Sequence, residues 1–374
     1  MRGAGTERFD AQNIKQQRWD RERGLFCIKD KPRSLTSREL RGSQGTGLFY
    51  WKNGNMEIVK VKQNTKFIFD VDTGSDDALA IMYADARGII PEYIITSYGN
   101  VSLTSVTKNT SMVLDAIGNT QTKVIEGLAN PIGQNLGRVD DYSGLCGVNL
   151  PGINQSRVVG DLSDNIDRIL KLSSMTYVVL GPCSNLAWIL KNYPDIKSKI
   201  DQVVIMGGGL TRKGNITPYA EFNFFQDPVA VNVVIASDLP VYLVTLDATV
   251  ETILSASDIE KSFGSKSSGF LVSEILRGYF NIWPERWDDG YELFDPLTIG
   301  AILGFLEFTP ENVRVKTNGL RKGELVVSSK GYVVNVPTLV DGGGFVSDFI
   351  NRISETLRLD RQVAKSLPTD LGIK

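Results

Sequence analysis

From Lys66 onward the chain alternates short apolar runs with amphipathic stretches. Lys66-Phe67-Ile68-Phe69-Asp70-Val71-Asp72 is an apolar run of strand length that ends in acids, and it predicts a buried strand. Ser75 to Arg87 predicts a helix, because Ala78, Leu79, Ile81, Met82 and Ala86 recur at helical spacing. Ser75 is the expected N-cap of that helix, and Asp76 and Asp77 fall in its positive first turn. The same reading gives strands at Tyr93–Ser97, Lys123–Glu126, Thr176–Leu180, Val203–Met206 and Val241–Leu246. Between and after them it gives helices at about Thr104–Ile117, Ile166–Leu172, Asn185–Asn192 and Pro228–Ala236.

This alternation, sustained to about Asp247, predicts an α/β fold: a mostly parallel central sheet with helices on both faces, open and Rossmann-like. In such sheets ligands bind outside the carboxyl ends of the strands. Asp70 and Asp72, Gly99-Asn100, Gly181-Pro182 and Gly207–Gly209 each follow a predicted strand, so the polar residues gather where an enzyme site is expected. Residues 1–63 differ: they are rich in Arg, Gln, Ser and Gly, with one aromatic cluster at Phe49-Tyr50-Trp51. They are expected to form a partly disordered extension before a catalytic domain spanning 64–374.

Composition narrows the chemistry. The chain has 374 residues, 41 Lys and Arg against 43 Asp and Glu, and no histidine. Without imidazole there is no Ser-His-Asp triad, no Cys-His dyad and no His-ligated zinc. The net charge of -2 argues against a nucleic-acid surface. Cys27, Cys146 and Cys183 are odd in number and not in metal-like pairs, the pattern of a reduced protein. No apolar run reaches the roughly 18 residues of a membrane span, and the expectation is a cytoplasmic protein.

The densest chemical signal is Asp70-Val71-Asp72-Thr73-Gly74-Ser75-Asp76-Asp77, four carboxylates in eight residues at a strand-to-helix turn. Like charges so crowded call for a compensating cation or helix N-terminus, and a hard divalent cation suits oxygen ligands. A solvated acidic loop with helix-capping aspartates is the plainer reading. The octet lacks the central Gly and twelfth-position Glu of an EF-hand loop. The haloacid-dehalogenase phosphatases have a similar Asp-x-Asp with Asp70 as nucleophile, but their fifth position is Thr or Val, and here it is Gly74.

The octet also resembles the aspartate cluster of the inosine-uridine-type nucleoside hydrolases. Further segments resemble that family in the same order: Tyr98-Gly99-Asn100-Val101, Leu180-Gly181-Pro182-Cys183-Ser184-Asn185, Val204 to Gly209, Gly214 to Asn223 with Asp227-Pro228, and Phe294-Asp295-Pro296-Leu297. The resemblance runs from about Lys66 to Arg358. It implies a nucleoside hydrolase-like fold that splits the N-glycosidic bond of ribonucleosides with water activated by Ca²⁺. It implies that Asp72, Asp77, Asp295 and the backbone carbonyl of Leu180 ligate the ion, and that Asp72 takes a proton from the water. Asp76, Asn100 and Asn223 are implied near the ribose 2′- and 3′-hydroxyls, Asn215 and Glu221 at the 5′-hydroxyl, and Met206 against the sugar. Asp70 is implied to support these groups from behind. A homo-oligomer, dimer or tetramer, is implied as well, with a small-molecule ribonucleoside as the partner and no nucleic acid or membrane.

Each of these residues also has an ordinary structural explanation. Asn215, Glu221 and Asn223 are residue types that satisfy loops, Asn100 is a turn residue, Met206 suits a core, and Asp295 before a proline suits a helix cap.

The departures concern the leaving base. Phe294 stands where many members have histidine, and the Tyr142-to-Gly147 loop lacks its histidine too. An aromatic at this place resembles the purine-preferring members, where it stacks on the base. Phe294 with Tyr142, Trp283 or Trp287 fits that reading, and purine nucleosides are the favoured substrates. Tyr291, Glu292, Asp288 and Asp289 are alternative proton donors. If no acid serves, the chain is a weakened, ribose-binding relative of the enzymes. Ser255–Ser268 is expected to be a polar surface segment. The Ile282–Trp287 stretch reads equally as a lid or as packed tryptophans, and a C-terminal amphipathic helix follows Gly344.

Overall fold

The apolar run after Lys66 forms the strand β1 (Lys66–Val71), and the helix α1 (Ser75–Ala86) follows it. A computed structural model of the chain describes residues 19–20, 25–26, 57–133, 144–148, 157–263 and 270–359, for side chains 271–354 in the last span. The expected N-terminal extension lies almost wholly outside the described residues, and Tyr142 lies outside them too. The chain continues through β2 (Tyr93–Thr96), α2 (Leu103–Ala116), β3 (Lys123–Glu126), β4 (Val158–Asp161), α3 (Leu162–Leu170), β5 (Met175–Val179) and α4 (Ser184–Asn192). Then come β6 (Ile200–Met206), α5 (Phe222–Gln226), α6 (Pro228–Ile235), β7 (Val241–Val244), α7 (Leu246–Thr249), β8 (Ile253–Leu254), α8 (Ala256–Phe263) and α9 (Phe270–Ile282). The last elements are β9 (Tyr291–Glu292), α10 (Phe294–Ile302), β10 (Leu306–Val315), β11 (Leu325–Val327), β12 (Tyr332–Val340) and α11 (Gly342–Leu359).

One ten-stranded sheet carries the fold, in the order β11-β10-β12-β7-β6-β5-β1-β2-β3-β4. From β12 to β4 every neighbouring pair is parallel, and β10 pairs antiparallel with both β12 and β11. The expected parallel α/β sheet is therefore present, with an antiparallel edge that the sequence pattern did not reveal. Period-two alternation sends residues of one strand to opposite layers. Phe67, Phe69 and Val71 join the core beneath α1, α2 and α10, whereas Ile68 joins the core beneath α4 and α6. Both faces are buried, which is why β1 reads as a continuous apolar run.

The order also sets where a site can form. From β1 the chain builds outward through β2, β3 and β4, then returns to place β5, β6 and β7 on the other side of β1. The direction reverses between β1 and β5, and a crevice opens at the carboxyl ends of strands at such a point.

One local expectation is corrected, and two others are made specific. Gly74, not Ser75, is the N-cap of α1; the Asp77 carboxylate reaches back to accept the Gly74 N–H at 2.9 Å, which satisfies an orphan donor of the first turn. The segment expected to be polar surface contains α8, which buries Ile259 and Phe263. The Pro284–Arg286 turn sits among packed aromatics: Trp287 lies edge-on to Phe280 with centroids 4.7 Å apart, and Trp283 lies 4.9 Å from Tyr279. Among the described residues no helix is long and apolar enough to cross a membrane.

Candidate active site

Four aspartates stand at the carboxyl end of β1, where the order of the sheet reverses. Asp70, the last but one residue of β1, is fully buried. Its Oδ1 accepts the Asn185 amide at 2.8 Å and its Oδ2 accepts the Tyr177 hydroxyl at 3.1 Å. Burial raises this carboxyl to about pKa 7, although those hydrogen bonds favour the charged form. Asn185 in turn donates to the Thr96 carbonyl and accepts the Leu128 N–H at 2.7 Å. One buried amide thus joins the ends of β1 and β2 to the segment after β3. The phosphatase reading of Asp70 loses its basis here, since both oxygens are committed to protein donors.

Asp72 needs close backbone approach on both sides. A Cβ on Gly99 would stand 2.0 Å from Asp72 Oδ2, and one on Gly181 would stand 2.7 Å from Asp72 Oδ1. Glycines after β2 and β5 therefore make room for this carboxylate. Its Oδ2 accepts the Asn100 N–H at 2.7 Å, and its own backbone N–H donates to Asp77 at 3.2 Å. Burial raises the Asp72 carboxyl well above its ordinary value, and the charges of Asp77 and Asp76 push it further.

Asp76, Asp77 and Asp295 each offer a carboxylate oxygen within 4.8 Å of the other two. Asp77 and Asp295 are buried and Asp76 is half-buried. The first two open α1, and the third is the second residue of α10, which packs against α1. Burial and the neighbouring Asp76 raise Asp77 to about pKa 8. Asp295 is raised well above the ordinary value by burial, then by Asp76, Asp77 and Asp72. Asp76 and Asp295 share a hydrogen bond, while Asp295 Oδ1 is buried without a protein partner. Leu293 is the N-cap of α10 and Asp295 stands inside its first turn, so Asp295 is not the residue that caps this helix. A buried oxygen with no donor among the described residues, in a group of three acids, has the donor chemistry of a hard divalent cation site.

The remaining expected residues surround this group unevenly. Leu180 donates its N–H to the Asp70 carbonyl, and its own carbonyl accepts the Asn223 amide at 2.6 Å. The Asn223 amide also lies 3.5 Å from Met206 Sδ, at the end of β6. Glu221 caps α5 by accepting the Asn223 and Phe224 N–H groups at 2.7 and 3.0 Å, and it accepts the Gly208 N–H at 3.0 Å. Burial nevertheless raises it to about pKa 7. Asn215 is exposed and accepts the Phe222 N–H at 2.9 Å. Asn100 lies between the groups, its side-chain amide 3.4 Å from Asp77. Phe294 is half-exposed directly before Asp295.

Of the four expected metal ligands, then, Asp77 and Asp295 belong to the tight acidic group. Asp72 and the Leu180 carbonyl are not part of it, and are engaged by the Asn100 N–H and the Asn223 amide. Asp76, expected at the sugar, belongs to the group itself. Among the proposed proton donors, Glu292 forms an ion pair with Arg212 and accepts the Thr249 hydroxyl at 2.6 Å. Asp288 and Asp289 are exposed. The Tyr291 hydroxyl meets that of Ser75 at 3.1 Å. Sequence reading assigned no part to Asn185, although it lies inside a motif that reading singled out.

Comparison with known proteins bears on all of this. The family model of the inosine-uridine preferring nucleoside hydrolases matches residues 67–347. The chain is 29% identical over 280 residues to uridine nucleosidase 1 of Arabidopsis thaliana, covering 71% of this chain and 82% of that one. It is 31% identical over 304 residues to the pyrimidine-specific ribonucleoside hydrolase RihA of Salmonella gallinarum, covering 76% and 97%. Among solved structures, a purine-preferring ribonucleoside hydrolase from Gardnerella vaginalis superposes with a TM-score of 0.71 at 28% identity, covering 79% of this chain and all of that one.

Proposed function

This chain belongs to the inosine-uridine preferring nucleoside hydrolase family, and on that premise we propose that it hydrolyses the N-glycosidic bond of ribonucleosides to ribose and free base. The observation that carries the proposal is the meeting of Asp76, Asp77 and Asp295 at the reversal point of the sheet, with a buried oxygen lacking any protein donor. Asp77, Asp295, Asp72 and the Leu180 carbonyl would hold the cation, with Asp76 alongside. A Ca²⁺ bound there supplies Lewis acidity that makes water nucleophilic near neutral pH.

The chain's own groups do the rest. Asp72 receives the proton of the attacking water. Breaking the C1′–N bond builds positive charge on the ribosyl ring, and the surrounding carboxylates stabilise that charge. Asp76 and Asn223 hold the 2′- and 3′-hydroxyls with Asn100 nearby, Asn215 and Glu221 hold the 5′-hydroxyl, and Met206 packs against the sugar. Fixing the ring in this way turns binding energy into orientation.

A purine preference is the finer part of the proposal, supported by Phe294, half-buried directly before Asp295, and by the aromatic residues Trp283 and Tyr279, which pack on each other. The pyrimidine-specific relatives favour a second reading, with uridine as substrate. Incubation with inosine, guanosine, uridine and cytidine plus Ca²⁺, followed by chromatography of the free bases, tests both. Base release that disappears in Asp72→Ala supports hydrolysis, and the ranking of substrates decides between the bases. Nucleoside binding without release would leave only a binding protein of this fold.

A further inference from the structure

The three carboxylates of the acidic group come from two segments that no sequence proximity holds together. Asp76 and Asp77 follow Ser75 at the start of α1, while Asp295 follows β9 and opens α10. The packing of α10 on α1 brings the segments together, but three like charges tend to spread apart, and a tie at the acids themselves would fix their spacing. The Ser75 and Tyr291 hydroxyls meet at 3.1 Å across this gap. Ser75 directly precedes Asp76, and Tyr291 stands four residues before Asp295.

Tyr291 is itself anchored. It is 2% exposed, its ring stands edge-on to Tyr279 at 4.7 Å and to Phe280 at 6.5 Å, and its strand pairs with β8. Leu293, next along, donates its N–H to the Thr252 carbonyl at 3.0 Å. The phenol is thus a rigid arm reaching from the Asp295 segment to the first residue of α1.

We propose that the Ser75–Tyr291 hydrogen bond is a strap that sets the spacing of Asp76 and Asp77 from Asp295, and that Tyr291 and Ser75 are positioning residues for cation binding. The proposal rests on the reading of the acidic group as a divalent cation site. Supporting groups that orient ligands typically contribute about 10-fold or more to metal affinity. A strap one residue removed from a ligand is expected at the low end of that range.

The test is a calorimetric titration of the chelator-treated, full-length protein with CaCl₂, alongside thermal melts. Tyr291→Phe and Ser75→Ala are each expected to weaken Ca²⁺ binding about 10-fold. The double variant should be no weaker than the weaker single one, because both remove the same bond. Ser75→Thr, which keeps the hydroxyl, should restore the affinity. Tyr83→Phe is the control: Tyr83 lies on α1 seven residues after Asp76, and the change removes its 2.6 Å hydrogen bond to Asp348 on α11. It should lower the melting temperature and leave Ca²⁺ affinity unchanged. Unchanged affinity in Ser75→Ala and Tyr291→Phe, or a loss in Tyr291→Phe alone, would overturn the strap. If the unaltered protein bound no Ca²⁺, the cation-site reading itself would fail, a separate result.

Discussion

The carboxylates of Asp77 and Asp295 approach within 4.8 Å of each other although one opens α1 and the other opens α10. Among the described residues neither has a basic partner, and burial makes both reluctant to ionise. An electrostatic arrangement of this kind is costly by itself and becomes favourable when a divalent cation is bound.

Stability should therefore depend on pH in an unusual direction when no divalent cation is present. Asp70, Asp77 and Glu221 have folded values of about 7, 8 and 7, above their ordinary 3.8, 3.8 and 4.5. The folded state holds protons that the unfolded chain releases, so this stabilisation is complete below the ordinary values and is lost as pH rises through 7 to 8. In the presence of chelator the melting temperature should be higher at about pH 5.5 than at about pH 8.5. Saturating Ca²⁺ should raise it at both, and more at the alkaline value, where protons no longer compete. Differential scanning fluorimetry across this range checks the sign.

Asp295→Asn removes a buried charge whose Oδ1 has no protein donor. The cation-free variant should melt about 2 °C higher than the parent, roughly what 1 kcal/mol is worth in a large domain. Its Ca²⁺ response should fall about 10-fold or more in affinity. A variant that melts lower and still binds Ca²⁺ normally would argue against the assigned role.

Asn185 makes the opposite prediction. It is fully buried and joins Asp70, Thr96 and Leu128. Asn185→Ala leaves those groups unpaired and should cost about 2–4 kcal/mol in urea unfolding.

Phe294→Ala tests the base. If the ring stacks on the leaving group, kcat/KM for inosine should fall about 3- to 10-fold, the value of one aromatic pair. Uridine, with its smaller ring, should be less affected. Equal losses would remove Phe294 from base selection.

Much of this was legible in the sequence, for identifiable reasons. Strands β1, β5, β6 and β7 are buried on both faces, so their apolar runs stand out from polar turns. The antiparallel edge did not stand out, because β10 carries Pro310 and alternates buried with solvated positions, as in Glu307, Thr309 and Glu311. Strand β4 is four residues long, contains Gly160 and has no fully buried side chain. At the site, the order of motifs singled out Asp77 and Asp295, but the packing of α1 on α10, which joins Asp76 to them, is a tertiary fact. The hydroxyl pair of Ser75 and Tyr291 is likewise invisible to any local pattern, and so is the reach of Asn185 to three separate strand ends.

A crystal structure of the protein with Ca²⁺ and bound ribose tests the central claim most directly. The account predicts one anomalous peak within coordination distance of Asp77 and Asp295, with Asp72 and the Leu180 carbonyl turned toward it and the sugar alongside. An ion bound elsewhere, or a sugar seated away from these acids, would contradict it.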